Sequence, residues 1–245
     1  PPFTLQEANA SGGRCYNRCP HCGEVHALEF EMESRTLILS CPYCELPFDV
    51  LAADTAGKIR RATDFFDGFR LPEHPAAKTQ LSGEQRIVSL WQQITDQCEY
   101  QLDKDHSEER EREVWKHSLQ TWKERAGDCE DTSILLADAL LSAGFDARVA
   151  IGWNGNIGQH ACVGVQVDDR QYVLESTLQD TITQDSLLEA SEAAAFYQPE
   201  QLFDRKNLYF TEANPMDSRI DYFSPSLWKK LPMRQDPSAP ALSLR

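Results

Sequence analysis

Cys129 stands where the chain passes from Gly127-Asp128 into a long apolar run, and that placement suits a nucleophile. The thiolate is the reactive form of cysteine. A residue in the first turn of a helix faces unpaired backbone N–H groups and the positive end of the helix dipole, and both favour an anion. Asp128 is a good N-cap residue, and Asp131 is placed to complete a capping-box-like arrangement. His160 follows 31 residues later at the start of a strand, and Glu175 lies on the next strand, beyond a tight turn. Histidine can take a thiol proton and return it to a leaving amine. A carboxylate on the neighbouring strand can orient the ring and favour the imidazolium. An antiparallel pairing brings these two together, because His160 is near the start of its strand and Glu175 near the end of the next.

A second set of residues has the chemistry of a metal site. Cys19-x2-Cys22 is followed after eighteen residues by Cys41-x2-Cys44. Zinc takes four tetrahedral ligands and accepts thiolates, and two such knuckles supply two sulfurs each. Proline follows the first cysteine of each pair, and Gly23 sits where the first knuckle needs a permissive backbone. Cys15, His21 and His26 are spare ligand types nearby, and the four cysteines close the shell without them. The pattern resembles a zinc ribbon, its knuckles carried on a three-stranded sheet. Structural Zn2+ is the expected cofactor.

The elements that must position these groups can be read from periodicity. Residues 1–14 read as a loose start. Val25–Met32, Thr36–Ser40 and Phe48–Ala52 read as short strands. Residues 55–83 form a linker in which Phe65, Phe66, Phe69 and Leu71 pack against the main body. A helix is predicted from Gly83 to Leu102, with Ile87, Trp91, Ile94, Cys98 and Leu102 on one face. Asp103–Glu113 reads as a solvated charged loop, and Ser118 as the cap of a short helix holding Leu119 and Trp122. Asp128–Ala143 is a buried helix stopped by Gly144. Ala147–Trp153, Gln159–Val167 and Gln171–Thr177 are strands, the last two joined by a turn at Asp168–Arg170. Ser186–Tyr197 reads as a helix, and the aromatic stretch to Leu231 packs on the core. One helix leading into antiparallel strands indicates an α+β fold. The organisation is a ribbon at 15–54, a linker at 55–83, a catalytic domain at 84–231 and a flexible tail at 232–245.

Three stretches carry a family resemblance: WKHSLQTWKERAGDCEDTSILLADALLSAGFDARVAIGW, GQHACVGVQV and YVLEST. They are similar to the transglutaminase-like superfamily, and especially to its bacterial cysteine-proteinase branch. The resemblance covers roughly residues 84–180. It implies a papain/transglutaminase-like core, with Cys129 as nucleophile and His160 as base. It also implies that Trp115 helps stabilise the oxyanion beside the Cys129 backbone N–H. Aspartate is commoner than glutamate at the third position, so Glu175 is a departure. Members that cleave bacterial adhesins bind calcium through the acids flanking the cysteine, here Asp128 and Glu130; helix capping explains Asp128 without a metal. The implied reaction is acyl transfer from a protein or peptide amide through a thioester on Cys129. Hydrolysis is favoured over transamidation because water is abundant. The alternative is a non-catalytic adaptor, with a partner-binding ribbon on a papain-like scaffold. Cys162, two residues from His160, is expected on the same face, within reach of a redox bond to Cys129.

Composition narrows the partners. Hydrophobic residues make up 41% and charged residues 26%, with a formal net charge of −15. So acidic a chain is poorly suited to nucleic acid, whose phosphates are held by Lys and Arg. No apolar run has the length of a membrane span. Reduced zinc cysteines suit the cytoplasm, whereas relatives of this kind are exported, and a start at Pro1 leaves room for a trimmed signal or anchor.

Overall fold

A computed structural model describes residues 4–9, 12–31, 36–71, 81–103, 113–211 and 219–232. Residues 72–80 of the linker, residues 104–112 of the charged stretch and the tail beyond Pro232 lie outside the described residues.

The chain opens with β1 (Thr4–Asn9), β2 (Gly12–Arg18) and β3 (Val25–Glu31), an antiparallel sheet in that order. The loose start is therefore two paired strands. They carry no apolar alternation to betray them, and it is backbone pairing that forms them. A second sheet holds β4 (Leu37–Ser40), β5 (Pro47–Ala53) and β6 (Ile59–Arg61). The three strands read from the ribbon segment thus divide between two sheets and do not form one. The turn at Ala62–Phe65 then delivers Phe65, Phe69 and Leu71 to the core as expected.

α1 (Gly83–Thr95) starts at a capping box in which Ser82 Oγ accepts from Gln85 N and Gln85 Oε1 accepts from Ser82 N. It buries Ile87, Leu90, Trp91 and Ile94. It ends earlier than its apolar period suggests: Cys98 is buried in the turn beyond it, and Leu102 is exposed. The chain turns here so that β7 (Glu99–Tyr100) can pair in parallel with β8 (Ala126–Gly127), after α2 (Ser118–Glu124). His117, and not Ser118, occupies the N-cap of α2. α3 (Cys129–Ser142) is buried along nearly its whole length, and the chain leaves it through Gly144 at φ +92°.

α3 packs on a seven-stranded antiparallel sheet. Its strands are β9 (Asp146–Asn154), β10 (Gly158–Val167), β11 (Arg170–Leu174), β12 (Leu188–Glu189), β13 (Tyr197–Phe203), β14 (Asn207–Thr211) and β15 (Trp228–Pro232). The order is β12-β11-β10-β9-β13-β14-β15. The fold is α+β, a buried helix on an antiparallel sheet. Ala161, Val163 and Val165 of β10 join the main core with Ile134 and Leu135 of α3. By alternation the opposite face carries Cys162, which clusters with Ala150, Leu202, Tyr209, Tyr222 and Trp228. The helix expected over Ser186–Tyr197 is a single turn, α4 (Ala190–Ala193), and Tyr197 already opens a strand. Its alanines favour helix, but β13 pairs with β9 and accommodates Pro199 at a register shift.

The main core is continuous from Cys19, Leu39, Cys41 and Phe48 through Trp115 to α3 and the large sheet. The cysteine-bearing segment therefore has no core of its own. One buried carboxylate ties several of these parts together. Asp138 of α3 accepts from Arg205 Nε at 2.5 Å, Ser118 Oγ at 2.6 Å, Phe69 N at 2.7 Å and Asp67 N at 3.1 Å. Asp138→Ala leaves Arg205 Nε and the Phe69 N–H without this acceptor, so urea unfolding is expected to show a loss of about 1–3 kcal/mol; a loss under about 0.5 kcal/mol contradicts that role.

Candidate active site and cysteine cluster

Cys129 is the first residue of α3 and is half-buried. Asp128 occupies the N-cap in an extended conformation, but its side chain makes no capping hydrogen bond. Asp131 does not close a capping box either. Its Oδ1 accepts from the Lys116 backbone N at 2.7 Å, and its Oδ2 lies 3.1 Å from Lys116 Nζ. It fastens the preceding loop to the helix. Gly127 is required beside it, since a Cβ there would come within 2.6 Å of the Asp131 Cβ. The next turn is held by hydroxyls: Thr132 Oγ1 and Ser133 Oγ each lie 2.9 Å from Ser176 Oγ.

The antiparallel pairing of β10 and β11 sets Val163 opposite Leu174. Glu175 follows immediately, and His160 Nε2 meets Glu175 Oε2 at 2.6 Å. The turn between the strands bends at Asp168, whose φ is +52°. Glu175 Oε1 accepts from Thr177 N at 3.1 Å and Thr177 Oγ1 at 2.7 Å, and Oε2 also accepts from Tyr197 Oη at 2.8 Å. Trp91 Nε1 donates to the Glu175 carbonyl at 2.8 Å. Burial opposes ionisation of Glu175, but His160, Thr177 and Tyr197 together hold its carboxyl below the usual range. Burial likewise opposes the imidazolium. Hydrogen bonds to Cys129 and Glu175 outweigh it and raise His160 to about 10. With Nε2 committed to Glu175, Nδ1 is the ring nitrogen left for Cys129.

Trp115 is not brought to this centre. Its indole is fully buried, stacked on Phe203 with ring centroids 5.8 Å apart, and its N–H donates to Glu113. The tryptophan implied by the resemblance as an oxyanion donor is here a core residue. Cys162 does line a small cleft beside His160, with Gly152, Tyr197 and Tyr222. Its thiol packs in the cluster on the sheet face opposite α3, and the charges of Glu175 and Cys129 both act on it.

An acidic group gathers at the start of α3, where Asp128 and Glu130 flank Cys129. Carboxylate oxygens of Asp103, Asp128 and Glu130 lie within 4.8 Å of one another. Asp128 Oδ1 and Glu130 Oε1 are buried without a hydrogen-bond partner. Burial and the neighbouring charges of Cys129 and Asp128 push Glu130 well up, and burial raises Asp103 to about 6. Such a set is short of a cation.

The four knuckle cysteines converge. Their Sγ atoms all lie within 4.8 Å of one another, with Cys19–Cys44 at 3.7 Å and Cys22–Cys41 at 3.8 Å, and all four are free thiols. Backbone N–H groups of His21 and Tyr43 point at Cys19 Sγ and Cys41 Sγ. Gly23 takes φ +79°, and Glu45 takes φ +62° at the corresponding place in the second knuckle. His21 is bonded to the Pro47 carbonyl, and His26 is buried against Phe48. Neither histidine belongs to the four-sulfur group.

Residues 113–231, a little under half of the chain, match the family model of the CEP76 peptidase-like domain. No curated protein matches. A candidate cysteine protease from Cytophaga hutchinsonii is similar at 18% identity and a TM-score of 0.34, over 58% of this chain and 44% of that one. The chain thus spans less than half of that protein. LapG of Legionella pneumophila in its EGTA-treated form gives 14% identity and a TM-score of 0.39, over 62% and 84% of the two chains. Its calcium-bound form gives 15% and 0.39, over 58% and 87%. Likenesses this loose fix neither activity nor ligands.

Tyr197, Thr177, Ser176 and Asp103 escaped the sequence reading. The strand expected to run to Thr177 ends at Leu174, and Thr177 reaches the carboxylate from the turn that follows. Tyr197 and Asp103 reach the site only through tertiary pairing. His160 is expected to stay protonated through neutral pH and titrate near 10 by 15N NMR. Glu175→Gln removes the charge that helps hold that proton, so the titration should fall by more than one pH unit. Titration near the ordinary value in the wild type contradicts the pairing.

Proposed function

We propose that this chain is a cysteine-nucleophile acyl-transfer enzyme acting on protein or peptide amides, with water as the usual acceptor. One observation carries the reading: a half-buried His160 bonded at Nε2 to Glu175, with Cys129 at a helix start as its other partner. The Cys129 sulfur attacks the amide carbonyl carbon while His160 holds the proton. The resulting oxyanion is stabilised by the Cys129 backbone N–H, one of the free donors of a helix N-terminus. As the C–N bond breaks, His160 protonates the leaving amine, and a thioester remains on Cys129. Water, deprotonated by His160, attacks the thioester, releases the carboxylic acid and returns the thiol. Glu175 keeps the ring in place through both steps. The match to a peptidase-like domain agrees with this chemistry, and an amine in place of water gives transamidation at the same centre. The substrate is a protein or peptide. No helix of the described residues is long and apolar enough to cross a membrane.

Two metals fit the residues present. A tetrahedron with zinc–sulfur bonds of about 2.3 Å has sulfur–sulfur edges of about 3.8 Å, and two of the pairs lie at 3.7 and 3.8 Å. Cys19, Cys22, Cys41 and Cys44 are therefore read as ligands of a structural Zn2+. Asp103, Asp128 and Glu130 suit calcium, a hard cation that takes carboxylate oxygens, and their unpartnered oxygens are the fit. Bound there, it would offset the carboxylates beside Cys129, where Glu130 Oε2 lies 3.5 Å from the sulfur.

Iodoacetamide at mildly acidic pH is expected to label Cys129 ahead of the other cysteines, and Cys129→Ala should abolish amide cleavage in a peptide-library assay. Uniform slow labelling with no cleavage favours the adaptor reading. Elemental analysis should return about one zinc per chain. Calcium should raise the melting temperature of the wild type and not of Asp128→Asn, and protein lacking both effects would sink the metal assignments.

A further inference from the structure

We propose that Tyr197 is a positioning residue for the acid of the site, fixing the Glu175 carboxylate where His160 can use it. The inference rests on the reading of Cys129, His160 and Glu175 as an acyl-transfer centre. Glutamate has one more rotatable bond than the aspartate commoner in similar proteins, so its carboxylate must be immobilised by something other than its own backbone. Four donors do this. Thr177 supplies two, both to Oε1, at 3.1 Å from N and 2.7 Å from Oγ1. It lies two residues away on the same segment, so it orients the carboxylate locally without registering it against β10. His160 and Tyr197 share Oε2, at 2.6 and 2.8 Å.

Tyr197 comes from a different part of the fold. It opens β13 opposite Asn154 of β9, and Asn154 in turn pairs with Gly158 at the start of β10. The phenol therefore approaches Glu175 from across the sheet, and its ring lies 6.2 Å from that of His160. One oxygen is pinned between the histidine of β10 and the tyrosine of β13. Burial and the adjacent Glu175 charge push the phenol upward, so it remains a donor over the whole working range. Cys129, Cys162, Tyr100, Tyr222, Asp128 and Glu130 are further ionisable groups in this neighbourhood, and His160, Thr177 and Tyr197 are the residues whose donors meet the Glu175 carboxylate among the described residues.

The test needs no substrate. The rate of Cys129 alkylation by iodoacetamide is followed against pH, at one fixed calcium concentration, in wild type, Tyr197→Phe, Glu175→Gln and the double variant. Tyr197→Phe keeps the ring and should melt within a few degrees of wild type. At pH 6 its Cys129 should react about 5- to 30-fold more slowly. The acid limb should move up by about one pH unit, because Glu175 loses a donor that favours its charged form. In the Glu175→Gln background the same substitution should change the rate by less than about twofold. A wild-type profile for Tyr197→Phe, or an equal loss in the Glu175→Gln background, overturns the proposal and leaves the phenol a packing group. His160→Ala is the control for the underlying reading: if Cys129 alkylation ignores it, the centre itself is wrong, and the positioning role falls with it.

Discussion

Ser176 meets the hydroxyls of Thr132 and Ser133 in a buried contact, and the spacing of the whole centre hangs on it. Ser176 is the neighbour of Glu175, and Thr132 is one turn past Cys129. The helix is stiff, and the strand end is paired to β10. Fixing hydroxyl to hydroxyl therefore fixes Cys129 against Glu175, and through Glu175 against His160. Thr132 Oγ1 also donates to the Asp128 carbonyl at 2.7 Å, which sets the hydroxyl chain in one direction. Each group has a single proton to give, so the network has few alternative arrangements. Cysteine, histidine and acid come from three separate elements, and this contact makes them one unit.

Charge at the helix start is arranged unevenly. Negative side chains are welcome at an N-terminus because of the dipole and the free N–H groups. Yet Asp128, Glu130 and Asp131 are all buried there, and only Asp131 is matched by a cation, Lys116. Burial raises Asp131 to about 8, with the Asp128 charge adding to it and Lys116 opposing. Glu130 and Asp128 have no such partner among the described residues, and the proposed calcium is the compensation that fits. The histidine side is the reverse. There one half-buried carboxylate receives four donors.

The centre was legible in the sequence wherever a residue's role is local. Cys129 before an apolar helix, and His160 and Glu175 on strands joined by a short turn, follow from period and spacing. So do the knuckles, where two residues between cysteines dictate the local geometry. What depends on a distant partner was not legible. Asp128 looks like a cap in isolation, but its side chain turns toward Asp103, 25 positions earlier. Trp115 matches a family position, yet Phe65 and Phe203 enclose it. The alanines of residues 190–195 read as helix, but pairing with β9 claims the chain from Tyr197 onward. β1 is polar, and no hydrophobic period could announce it.

Continuity of the core gives the cysteine-bearing segment a part in the site that a separate module would lack. Cys41, Leu39 and Phe48 share buried surface with Val50 and Leu51 of β5. Next along, Trp115 N donates to the Ala53 carbonyl at 2.9 Å, and Asp54 bridges to Trp115. Lys116 follows directly and is held by Asp131 through both its backbone and its ammonium. Asp131 lies on the first turn of α3, two residues past Cys129. From the knuckles to the nucleophile, every link is thus a buried contact, a backbone hydrogen bond or an ion pair. Trp115 is the hinge of this path. Its ring fills the core and its backbone joins β5 to the loop, which accounts by packing alone for a fully buried tryptophan just ahead of α3.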